Sequence, residues 1–181
     1  MAISSSRLAP KKIYFQLFLV CMLPVHIWAI IIFLRRMDSF TIFMNLTQII
    51  SIAAYVLVYA LMESLFLFGI LFIGSLILPR RVSAARKLAL GTIIALVASA
   101  AAVLIHFHAI WKVNWIDQKE WTWLWVGVGL LVIALISFAV LKSERLESWL
   151  NALVERISLL SLVYLSADIL GLMIVLYRQL T

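Results

Sequence analysis

Four stretches of this chain each run for about twenty residues with at most one charge, the length a helix needs to cross the hydrocarbon of a bilayer. They are residues 13–34, 88–110, 124–141 and 157–177. Composition agrees: 66% of the residues are hydrophobic, 13% are charged, and the mean hydropathy is +1.14. A soluble domain of this length carries far more polar surface. The chain therefore reads as an all-α integral membrane protein.

A fifth apolar stretch, from Phe40 to Leu78, is harder to divide. As one helix it would reach about 58 Å, roughly twice the hydrocarbon thickness. Two spans would need a turn near Tyr55–Tyr59, where no turn-forming residue stands. The economical solution is one span over 51–78, preceded by an interfacial helix over 39–50. That helix is opened by a capping signal at Asp38-Ser39, and its Phe40, Phe43, Leu46 and Ile50 fall at helical spacing. The expectation is thus a single membrane domain over 1–181, a bundle of about five transmembrane helices with short interfacial amphipathic helices.

The N-terminal "RLAPKK" resembles the start of a secretory signal. The apolar run that follows is too long for one and ends in Arg35-Arg36 without a small-residue cleavage site, so it reads as a retained span.

The net charge of +7 has a topological meaning in so apolar a chain. With the N-terminus inside, cytoplasmic segments hold Arg7, Lys11, Lys12, Arg80, Arg81, Arg86, Lys87, Lys142, Arg145 and Arg156. The outside keeps Arg35, Arg36, Lys112, Lys119 and Arg178. This bias predicts a multi-pass protein of the cell membrane, N-terminus cytoplasmic and C-terminus outside. The lipid bilayer is its first partner, and nucleic acid is not expected.

Two amphipathic pieces flank the spans. "WKVNWIDQKEWTWLW" gathers Trp111, Trp115, Trp121, Trp123 and Trp125 at the outer loop, as an aromatic belt at headgroup level would. "SERLESWLNALVER" puts Leu146, Trp149, Leu150, Leu153 and Val154 on one face, with Glu147, Asn151 and Glu155 opposite. This predicts an interfacial helix over 143–156.

Ionisable residues inside the spans are the candidate site. An acid at the bilayer centre costs about 2.5–3.5 kcal/mol even on the forgiving insertion scale. Glu63 and Asp168 stand near the middles of their spans, and His26 slightly beyond the middle of the first. Counting rises from the inner ends puts His26, Glu63 and Asp168 at roughly 20, 22 and 16 Å, close enough to share one layer. Tyr59 precedes Glu63 by four residues and Tyr164 precedes Asp168 by four, which sets a phenol over each carboxyl on one helix face. Converged, these five residues form either a packing contact or a proton relay, because an imidazole and a carboxyl can exchange a proton. His26 also lies beside Pro24, which cannot donate to the Val20 carbonyl.

The third span runs Gly91, Ala95 and Ser99 along one side, small residues that let another helix approach. His106 and His108 point to different sides of a helix and do not form a haem site. Cys21 is the single cysteine, so an internal disulfide is excluded. The chain has no Gly-rich phosphate loop, HExxH, Gly-x-Ser-x-Gly or Cys-x-x-Cys, so neither enzymatic activity, nor a metal, nor a cofactor is expected. The sequence points to a non-catalytic accessory or scaffold subunit with a protein partner in the membrane, or to a homo-oligomer. The alternative is a small proton-coupled transporter or proton-conducting subunit.

Overall fold

A computed structural model describes residues 10–79, 82–111 and 115–180; the side chains of residues 10, 108–111 and 115–121 fall outside that description. The described chain is all helix: α1 Pro10–Arg35, α2 Met37–Phe43, α3 Leu46–Ile77, α4 Ala84–Trp111, α5 Trp115–Lys142 and α6 Glu144–Leu180. All but α2 are long and apolar enough to cross a membrane, so the fold is an all-helical membrane bundle with five candidate spans.

α1 is the axial helix and packs on α3, α4 and α6, while α5 leans on α4 from outside. Contacts along α1 fix direction. Tyr14 meets Phe72 and Phe18 meets Phe68, so α1 and α3 are antiparallel. An added Cβ at Gly91 would meet Leu17, and Trp28 meets His106, so α1 and α4 are parallel. The core around α1 joins Ile13, Leu17, Val20 and Cys21 to Leu71, Leu88, Ala95, Val154 and Ile157.

Two boundaries differ from the sequence expectation, each for a local reason. The interfacial helix expected over 39–50 is split. α2 ends at Phe43, and α3 begins at Leu46 under a reciprocal cap: Gln48 N donates to Asn45 Oδ1 at 2.9 Å, and Asn45 N donates to Gln48 Oε1 at 3.0 Å. Asn45 with Gln48 three residues on was the stronger start signal; Arg36, not Asp38 or Ser39, is the N-cap residue of α2, and it makes no side-chain cap.

The interfacial helix expected over 143–156 is continuous with the span that follows. Ser143 Oγ accepts from Leu146 N at 3.3 Å, and the helix then runs unbroken through 37 residues, about 55 Å. Its apolar stripe continues without changing face: Leu150 packs with Ala89, Leu90, Ile93 and Val140, and Val154 and Ile157 enter the core around α1. Apart from Trp149, which is 62% exposed, the stripe that resembled a membrane-surface face packs against other helices.

Charge gathers where α3 ends and α4 and α6 begin. Arg86 Nε donates to Glu147 Oε2 at 2.9 Å. Lys87 Nζ donates to the carbonyls of Ser75 at 3.2 Å and Leu78 at 3.3 Å, a cation placed on the open end of α3.

Candidate functional site

α1 and α6 run parallel in a fixed register. Ser161 Oγ donates to the Leu19 carbonyl at 2.6 Å, and His26 Nε2 lies 2.9 Å from Asp168 Oδ1; both contacts join residues 142 apart. Leu19 to His26 and Ser161 to Asp168 are each seven residues, the repeat that keeps one seam facing a neighbouring helix. The same offset sets Gln16 level with Ser158. Both are buried, and Gln16 Oε1 and Ser158 Oγ have no protein partner. A polar row thus lies along the seam between the two helices.

His26 and Asp168 are each 0% exposed. His26 Nδ1 is 2.9 Å from the Met22 carbonyl, and a carbonyl can only accept, so Nδ1 carries a proton. One further proton then lies on the Nε2–Oδ1 axis. With it on nitrogen the pair is imidazolium and carboxylate; with it on oxygen it is neutral imidazole and carboxylic acid. Both forms have zero net charge, the condition for holding two ionisable groups inside a low-dielectric bundle. Asp168 Oδ2 is buried without a protein partner.

Pro24 explains part of the arrangement. Lacking an N–H, it removes the helix donor for the Val20 carbonyl, and the nearby carbonyls of Leu19 and Met22 receive side-chain donors from Ser161 and His26. Tyr164 lays its ring along the imidazole, with centroids 5.4 Å apart and planes 26° apart. Across the bundle, the α1–α3 register carries His26 to the level of Ala60. Ala60 and Ser64 are buried there, with Ser64 Oγ donating to the Ala60 carbonyl at 2.7 Å.

The five residues expected to converge are divided by the structure. His26, Asp168 and Tyr164 come together. Tyr59 and Glu63 stand on the opposite side of α3, turned away from the bundle, Tyr59 at 68% exposure between Tyr55 and the exposed Met62, Phe66 and Ile70. At this level the face that α3 presents inward carries the small residues Ala60 and Ser64, and Glu63 is not on it.

The other candidates are placed as follows. Gly91 and Ala95 pack on α1 of the same chain, where an added Cβ at Gly91 would lie 2.7 Å from Leu17 Cδ1; Ser99 is half-buried further along. Trp123 is exposed, and Trp125 is half-buried with its Nε1 unpartnered. The side chains of Trp111, Trp115 and Trp121 lie outside the described residues. His106 meets Trp28 edge to face at 5.5 Å. Among the described residues no group of His, Cys, Asp and Glu is arranged to hold a metal ion.

Gln16 and Ser158 were missed as site residues. Their signal was present as a shared seven-residue repeat in the two spans, which becomes visible once those spans are known to be parallel neighbours. Comparison with family models, curated proteins and solved structures finds no match.

Proposed function

We propose that this polytopic protein is a non-catalytic accessory or scaffold subunit of a membrane assembly, with its Arg86–Glu147 end on the cytoplasmic side of the cell membrane. The observation that carries the reading is Glu63. Glu63 is exposed within two residues of the midpoint of α3, on a surface that is apolar but for the phenol of Tyr59 one turn away, where lipid alone would meet it. A second protein that completes this surface removes the conflict.

The interior fits the same reading. The seam's one ionisable pair is sealed and holds α1 to α6, and two grooves in the bundle surface lie elsewhere with almost wholly apolar linings. The larger, about 530 Å³, lies between α4, α5 and α6; the smaller, about 240 Å³, lies between α1, α3 and α4. Native mass spectrometry of the protein extracted gently from its own membranes is the test. A stoichiometric protein partner is the expected result, and a lone monomer would overturn the reading.

A proton-conducting role is the second reading, favoured by the unpartnered Gln16 Oε1, Ser158 Oγ and Asp168 Oδ2 along one seam. Buried polar atoms of this kind are where internal water is held, and water beside a His–Asp pair offers a route for a proton. Proton flux in liposomes distinguishes the two: flux abolished by Asp168→Asn in a normally folded protein would favour conduction.

A further inference from the structure

We infer that the outer face of α3 is the docking surface for a transmembrane helix of a different protein, one that carries a lysine or arginine near its midpoint to meet Glu63. The inference rests on the accessory-subunit reading and names the partner's chemistry.

The face is continuous. Tyr59, Glu63, Phe66, Ile70, Ile73 and Ile77 follow one another at three- and four-residue steps, and the five uncharged members are all more than half exposed. Gly74 lies on the same side, and a Cβ built there meets nothing within 4 Å. Large apolar side chains facing outward suit lipid and protein alike. Glu63 decides between them, because a carboxyl at mid-membrane is best stabilised by a cation, which neither a lipid chain nor the neighbouring Tyr59 phenol supplies.

A second copy of this chain is a poor occupant. No Lys or Arg of the chain falls within the apolar runs 13–34, 51–78, 88–110, 124–141 and 157–177. The imidazole of His26 is already bonded on both nitrogens and buried. Two copies meeting through this face would set one carboxyl against another and bring Glu63 no cation. Charge complementarity therefore calls for a foreign helix with a basic side chain at the depth of Glu63. That depth is close to the helix centre, out of reach of headgroup cations.

The test places a photo-crosslinking amino acid at Phe66 in the full-length protein in its native membrane, with a second placed at Leu160 on α6 as a control for random collision. The expected result is a crosslink from position 66, but not from 160, to a protein whose crosslinked span holds Lys or Arg at mid-membrane. Glu63→Leu is then expected to lower that crosslink and the co-purified partner at least tenfold while the bundle keeps its thermal unfolding profile. Exchanging the charges, Glu63→Lys here and the basic residue to Glu in the partner, is expected to restore them. A crosslink between two copies of this chain, or a partner retained at full level by Glu63→Leu, would overturn the inference while leaving the accessory reading in place. Absence of any partner in the native extract would overturn both.

Discussion

The two acids in the middle of this membrane bundle share a sequence pattern and differ in everything else. Asp168 follows Tyr164 by four residues, is fully buried, and is bonded to His26 at 2.9 Å, with Tyr164 stacked on the imidazole. Glu63 follows Tyr59 by four residues and stands with it on the outer surface of α3. What separates them is the company on the helix. Asp168 shares its face with Ser161 and Gly171, which admit neighbouring backbone, whereas Glu63 shares its face with Phe66, Ile70 and Ile77, which hold neighbours off. A carboxyl within a small-residue stripe is part of the molecule's own packing; one within a large-residue stripe is turned to whatever lies outside.

That contrast is broken most forcefully at the buried pair. Asp168→Ala strands the buried His26 Nε2 without its partner and is expected to destabilise the bundle by about 3 kcal/mol, whereas Glu63→Ala should shift stability by less than about 0.5 kcal/mol. Reversible unfolding in mixed micelles measures both, and equal losses would erase the distinction. Asp168→Asn sharpens the point: its amide can donate to Nε2, so most of the loss should be recovered. His26→Leu combined with Asp168→Leu should likewise recover stability if the pair serves packing alone.

Next in size is the small-residue stripe itself. A Cβ at Gly171 would meet the Ala54 carbonyl at 3.2 Å and Leu57 Cβ at 3.3 Å, whereas one at Gly74 meets nothing within 4 Å. Gly171→Val should therefore cost about 2 kcal/mol, and Gly74→Ala should be neutral or slightly stabilising in the same unfolding assay. Ser161→Ala removes the 2.6 Å bond across the seam and should cost about 0.6 kcal/mol, the usual size for an interhelical bond in a membrane bundle. The smallest effect belongs to the partly exposed Arg86–Glu147 pair, where Glu147→Gln should change stability by a few tenths of a kcal/mol, fading as salt is raised.

The class and the spans were legible because apolar run length is a direct consequence of bilayer thickness. The ends of the helices were less so, since caps compete. Asp38-Ser39 and Asn45-Leu46-Thr47-Gln48 both resemble starts, and only the second closes a reciprocal cap. The continuity of α6 was hidden because an amphipathic stripe looks the same whether it rests on headgroups or on α4.

The layer shared by His26 and Asp168 followed from counting rises, which locates depth. Direction around the helix axis was harder. Glu63 stands at the right depth, but its orientation depends on which neighbouring helices take which side of α3, and one strand of sequence does not contain that. A local hint existed all the same: Ala60 and Ser64 face inward, Tyr59 and Phe66 outward.

The register between α1 and α6 has a consequence in time as well as in space. His26 leaves the ribosome 142 residues ahead of Asp168, on the order of ten seconds at ordinary elongation rates. Throughout that interval α1 must sit in or beside the bilayer with the donor missing at Pro24 and an imidazole whose outer nitrogen has no carboxyl. The helix at the axis of the finished bundle is thus the one that waits longest for its final contacts, and a chain halted before α6 leaves that polar seam open to whatever machinery surveys unfinished membrane proteins.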